Sequence, residues 1–181
     1  GVGVRWLCDG TILRTIRVGA GPGSGGAGGG VQKVQWDGTV IWDFRYNTNG
    51  HLTHHDVKCL PNGNVLLIAW ETKTRAEAIA AGRNPNYVSN QGMMPDHIIE
   101  VQPTGPTSGE IVWEWHVWDH LIQDFDTSKD NYGVVGDHPE LIDINFGEDF
   151  VADWIHMNSV DYHPKFDQIL MSAHNFDEVW I

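Results

Sequence analysis

Three observations predict an all-β chain built as a β-propeller. A strand–turn–strand unit recurs, strand signals come in sets of four joined by tight Xaa-Gly turns, and only one segment reads as a helix. The clearest copy of the unit is residues 154–181, WIHMNSVDYHPKFDQILMSAHNFDEVWI, and an earlier one is residues 52–71, LTHHDVKCLPNGNVLLIAWE. With Pro61 set on Pro164 and one extra residue allowed in the later turn, Val57 falls on Val160, Val65 on Ile169 and Leu66 on Leu170. The same alignment sets Trp70 on His174 and His55 on Asn158. A fainter copy matches LCDGTIL, residues 7–13, to LPNGNVL, residues 60–66. Repeats at roughly fifty to a hundred residues, with insertions between copies, mark a radial β-repeat. A β-sandwich is the competing architecture.

In chain order, residues 2–7, 11–18, 31–36 and 39–46 read as four strands, with hairpin turns at Asp9-Gly10 and Asp37-Gly38. Between the second and third lies GAGPGSGGAGGG, residues 19–30, which lacks the order of a phosphate-binding loop and has no helix after it. It reads as a flexible surface connection. The next set begins with the hairpin of residues 52–71 and continues with residues 97–102 and 110–118. The helix falls between the pairs, at residues 74–81, on good helix formers closed by Gly82. In the fourth strand Trp113, Trp115 and Trp118 read as packing between neighbouring sheets. Residues 123–153 form an acidic connection of little periodicity, expected on the functional face. The last unit reads as strands over residues 154–162, 168–174 and from 178 on, with His163 to Asp167 as a proline-bearing turn. The expectation is one propeller domain over residues 1–181, with about two and a half four-stranded blades at 1–50, 51–122 and 154–181. Both ends read as the interior of a strand, so the chain is expected to be part of a longer protein.

Composition limits the partners. The net charge of −13 argues against nucleic acid and anionic membrane surfaces, and no apolar run reaches the length of a membrane span. Two cysteines are too few for a disulfide framework.

The polar residues of interest sit inside the strand signals. Alternation puts His156, Asn158, Val160 and Tyr162 on one face, and His174 ends the next strand. His54 and His55 fall on opposite faces, so one of them is expected to be structural. His51, His97, His116, His120, His138 and His163 read as surface residues of loops or outer strands.

These same segments, HHDVKCLPNGNVLLIAWE, GEIVWEWHVWDHLIQDFD and DWIHMNSVDYHPKFDQILMSAHNFDEVWI, resemble the bacterial arylsulfotransferase family. The likeness is loose over the first thirty residues and close from His54 on. It implies a six-bladed propeller that needs no PAPS cofactor. The reaction implied moves a sulfuryl group from an aryl sulfate ester to a phenol through a sulfated histidine. The resemblance implies catalytic roles for His156, His55 and His174, with His54 and Asn158 in substrate binding. It puts the family's arginine on His174, a departure, and the nucleophilic histidine beyond Ile181, so that this chain alone should be inactive. It also suggests a periplasmic or secreted location. The residue types suit the chemistry, because a trigonal, anionic group in transfer is stabilised by N–H donors aimed at its oxygens. Two other classes compete: a non-catalytic ligand- or protein-binding propeller, and a quinoprotein-like dehydrogenase suggested by IVWEWHVW. The dehydrogenase lacks a recognisable calcium and quinone set. A metal site of His54, His55, His156 and His174 is chemically conceivable, though no spacing demands one.

Overall fold

Glycine turns set the hairpins of the first sheet. The computed structural model describes residues 3–7, 9–19, 25–48, 50–147 and 151–181, the side chain of Trp6 excepted. Strands β1 (Val4–Trp6), β2 (Ile12–Arg17), β3 (Gly29–Val34) and β4 (Val40–Arg45) form an antiparallel meander in sequence order. Gly10 and Gly38 take φ of 79° and 91° at two of its turns, a conformation that costs glycine little. The Asp37 carboxylate accepts the Thr39 amide at 2.9 Å and closes the second of these turns.

The second sheet repeats the pattern with β5 (His51–Cys59), β6 (Val65–Glu71), β7 (Asp96–Gly105) and β8 (Ser108–His116). Every residue of β6 is buried. Its apolar run serves two cores, with Leu66 and Ile68 facing one and Val65 and Leu67 the other, the signature of a strand covered on both faces. Helix α1 (Arg75–Ala80) sits between β6 and β7. Thr74 and Glu77 cap it reciprocally, each side chain accepting the other residue's amide, at 3.2 and 2.7 Å.

The long connection is better built than its sequence suggests. Its short strands β9 (Leu121–Ile122) and β10 (Ile142–Asp143) pair in parallel. Arg83, almost fully buried, donates to the carbonyls of Ile144, Phe146 and Gly147 and clamps the segment onto the end of α1. The third sheet has three strands, β11 (Met157–His163), β12 (Gln168–Ala173) and β13 (Glu178–Trp180). Strict alternation fails in β11. A bulge between Met157 and Ser159 lets Met157 and Val160 both be buried, although alternation assigns them opposite faces.

Strand β5 packs between the first sheet and β11. One core, including Leu13, Val31, Val57, Leu67 and Ile99, joins the first two sheets. The other, including Ile68, Ile98, Ile144, Ile155, Met157 and Val160, joins the second sheet, the long connection and the third sheet. Trp115 and Trp118 pack against this second core, but Trp113 is 41% exposed and does not fill the expected inter-sheet role. Among the described residues no helix is long and apolar enough to cross a membrane.

A second departure concerns histidines expected at the surface. His97 is fully buried. The Tyr46 hydroxyl lies 3.1 Å from both His97 Nε2 and His51 Nδ1. The His116 ring stacks on His97 at 4.7 Å, and His116 Nδ1 lies 3.2 Å from Glu71 Oε1. Cross-strand pairing makes this group, since His97 lies opposite His116 in the β7–β8 register. Burial pushes the His97 imidazole down to about 3 from 6.5. The unfolded chain therefore takes up this proton first as pH falls, and the stability gained from a neutral His97 is lost from about pH 6.5 downward. Urea unfolding should show wild type losing up to about 1.4 kcal/mol per pH unit more than His97→Gln below about pH 6. Parallel stability curves would show that His97 protonates as readily in the fold as in the unfolded chain.

Candidate functional site

Two irregularities in otherwise regular strands create the site. In β5, Thr53 pairs with Ala69 and Val57 with Leu67, so three residues, His54 to Asp56, stand opposite Ile68 alone. His55 absorbs the excess at φ 48°, in the left-handed region. A β-strand would send His54 and His55 to opposite faces, but the bulge brings their Nδ1 atoms to 2.9 Å. His156 makes the same turn at φ 55°, one residue before β11 and not within a strand. His174 is also outside its strand and opens the 3-10 turn that follows β12. The other non-glycine residues with positive φ, among those described, are Asp167 and Asp177, a residue type that tolerates this region. For histidine the conformation costs on the order of 1–2 kcal/mol, so the surrounding contacts must impose it.

Those contacts gather four imidazoles. The His55 and His156 ring centroids are 4.6 Å apart, His156 and His174 are 5.4 Å apart, and His54 and His55 are 5.2 Å apart. His54 lies flat on Trp70 at 3.8 Å and has no solvent exposure. His55 and His156 are half-buried and His174 is exposed. The fifth expected residue, Asn158, is half-buried at the β11 bulge, and among the described residues its side chain makes no hydrogen bond to the imidazoles.

Each outer ring is anchored through Nδ1. His55 Nδ1 meets His54, His156 Nδ1 lies 2.5 Å from Asp153 Oδ2, and His174 Nδ1 lies 2.8 Å from Asn175 Oδ1. The Nε2 atoms of these three rings have no hydrogen-bond partner among the described residues. His54 differs. Its Nε2 lies 2.6 Å from Asp96 Oδ1, so both of its nitrogens are spent inside the protein and neither is left for a substrate.

The supporting residues were not singled out by sequence reasoning. Asp96, fully buried at the start of β7, also accepts the Met157 amide at 3.2 Å. Asp56 accepts the Val160 amide at 3.2 Å and pairs with Arg5. Burial raises the Asp96 carboxyl well above its ordinary range, and burial lowers His54 to about 3. Both shifts act against a charged pair across the short His54–Asp96 contact. Burial, then the neighbouring His54 and His156, lowers His55 to about 4. The signal for Asp96 and Asp153 in the sequence was slight: one lies beside Pro95 and the other at the end of an acidic connection.

The glycine-rich segment, read as a free connection, is docked on the site at its described end. The Gly26 carbonyl accepts the His55 amide at 2.9 Å, and Gly28 and Gly29 donate to the Thr53 carbonyl and hydroxyl. Residues 20–24 of the segment lie outside the described residues. A cavity of about 1060 Å³ opens elsewhere, beside Trp115, Phe176 and Trp180, and the four histidines do not line it.

Fold and site together define an all-β protein that presents imidazole nitrogens at a junction of three sheets, steadied by buried carboxylates. The chain belongs to the arylsulfotransferase (ASST) family, whose model matches residues 4–180. No curated protein matches the chain.

The packing of Gly26 gives a direct check. A Cβ there would lie 2.1 Å from His55 Cε1, and Gly26 has φ 78°. Gly26→Ala should cost about 1–3 kcal/mol in denaturant unfolding and shift the His55 ring resonances. Unchanged stability with unchanged His55 resonances would show that the glycine does not pack on this ring.

Proposed function

We propose that this chain is part of a β-propeller arylsulfotransferase and supplies the sulfuryl-binding half of its active site. The observation that carries the reading is the row of rings His55, His156 and His174, joined through His156, each tied down through Nδ1 and each with an Nε2 that has no partner among the described residues. A sulfuryl group in transfer is trigonal, with three equatorial oxygens that carry its charge. Ring nitrogens held in advance, each an N–H donor when protonated at Nε2, match that demand, and their fixed anchors mean that little reorganisation accompanies the reaction. Family membership supports the same chemistry, in which the donor is an aryl sulfate ester and the acceptor a phenol.

In this reading the three sheets are successive blades over residues 1–50, 51–122 and 154–181, with β5 and β11 innermost. His156 turns Nε2 to the sulfuryl group while its Nδ1 rests on Asp153. His55 donates as a neutral ring toward the bridging oxygen of the ester, and His174 stands where the resemblance puts an arginine. His54 serves binding indirectly, by holding His55, and Asn158 is close enough in sequence to His156 to complete the set. The sulfur–oxygen bond to the first phenol breaks as a bond to a nucleophilic histidine forms, and the acceptor phenol reverses the step. The resemblance puts that nucleophile outside residues 1–181, so this chain alone is inactive and no PAPS is needed.

The test uses the parent enzyme with 4-nitrophenyl sulfate as donor and phenol as acceptor. His156→Ala should lower turnover about a hundredfold or more, roughly 3 kcal/mol, with little change in melting temperature. Full turnover with a lowered melting temperature would make His156 structural and favour a non-catalytic binding propeller. His174→Arg should keep or raise the rate, because a planar guanidinium can bridge two sulfuryl oxygens. A large loss in that variant would place His174 outside the anion's reach.

A further inference from the structure

We propose that Asp96, His54 and His55 form a proton relay that makes His55 the acid for the departing phenolate and the base for the incoming phenol. The proposal rests on the sulfuryl-transfer reading and assigns it a proton path. Two contacts carry the argument, Asp96 Oδ1 to His54 Nε2 at 2.6 Å and His54 Nδ1 to His55 Nδ1 at 2.9 Å. Each holds one proton. A neutral His54 has a single N–H, so both hydrogen bonds must point the same way along the chain.

Two orders are therefore available. In the outward order the Asp96 acid donates to His54 Nε2, His54 Nδ1–H donates to His55 Nδ1, and His55 carries its own proton on Nε2. In the inward order Asp96 is a carboxylate, His54 is protonated on Nε2, His55 on Nδ1, and His55 Nε2 has a lone pair. The orders differ by one proton at His55 Nε2, the nitrogen without a partner.

That difference matches the two halves of the reaction. In the first, the sulfur–oxygen bond of the ester breaks and a sulfur–nitrogen bond to the nucleophile forms. The phenolate takes the proton from His55 Nε2, the relay shifts inward, and Asp96 is left as a carboxylate. In the second, the phenol oxygen attacks sulfur, the sulfur–nitrogen bond breaks, and the phenol proton returns through His55 Nε2 to Asp96. One proton leaves and one is regained, so no other acid or base is required. The buried setting supports the outward order at rest, since burial raises Asp96 and lowers His54. Trp70 stacked on His54 and the full burial of both inner groups shield the path from water. The titratable groups facing the relay are Asp153, His156, Asp56 and His97.

Asp96→Asn separates this role from a structural one. The Met157 amide at 3.2 Å from Oδ2 needs the carboxamide oxygen, so the NH₂ group must face His54 Nε2. The variant keeps the outward order and the shape of the site but cannot give up its proton. In single turnovers, release of phenol from phenyl sulfate should fall at least about a hundredfold, while 4-nitrophenyl sulfate, with its more acidic leaving group, should lose less than about tenfold. Equal losses for the two esters, or no loss with phenyl sulfate, would overturn the relay. ¹⁵N spectra of the resting parent enzyme give a readout that does not depend on the variant's folding. They should show His54 as the Nδ1–H tautomer and His55 as the Nε2–H tautomer, and His54 protonated on Nε2 would overturn the proposal. If the parent releases phenol from neither ester, the sulfuryl-transfer reading fails, and the relay's role toward phenols fails with it. The tautomers would then report only the resting proton order.

Discussion

Two carboxylates of the second sheet hold the third sheet in place, and the site depends on them. Asp56 accepts the amide of Val160 and Asp96 that of Met157, both at 3.2 Å and both with their side chains buried. Without them, the bulge in β11 would leave those amides facing a low-dielectric interior, at a cost on the order of 1–3 kcal/mol each. With them, β11 is fixed against β5, and His156, which immediately precedes β11, meets His55. The carboxylates thus do what a continuous β-ladder would do elsewhere, across a boundary where the sheets do not share one.

The left-handed residues follow from this arrangement. Regular strands would direct neighbouring side chains to opposite faces and keep the imidazoles apart. His55 and His156 give up ordinary backbone geometry, and the contacts repay the strain through the Gly26 and Asp153 hydrogen bonds. Burial then keeps His54 and His55 uncharged, so the first links of the cluster meet without charge repulsion.

The strands, the hairpin glycines and the capped helix were legible in the sequence because local chemistry determines them. The relation between the hairpins of residues 52–71 and 154–181 was also legible, and it drew attention to His55, His156 and His174. The bulges were not. Whether a strand carries an extra residue depends on what its partner presents, so alternation misassigned Met157 and separated His54 from His55. Asp96 drew no attention, because nothing local to it indicates that an imidazole will arrive from another strand. His97 looked exposed for the same reason: its neighbours Tyr46 and His116 are supplied by pairing and packing over long range. The glycine segment misled in the other direction, since a composition suited to flexibility also suits close approach to a ring.

The bonds that assemble the histidines are the distant ones. Asp56 and Val160 lie 104 residues apart, and Asp96 and Met157 lie 61 apart, whereas hairpins such as β5–β6 close over short turns. Loop-closure entropy makes such distant contacts late events in folding. Complete sheets would therefore not by themselves bring the imidazoles together, and secondary structure would be a poor reporter of competence. The chemistry comes into being only with the last closures of the chain, which ties the birth of the site to the end of folding.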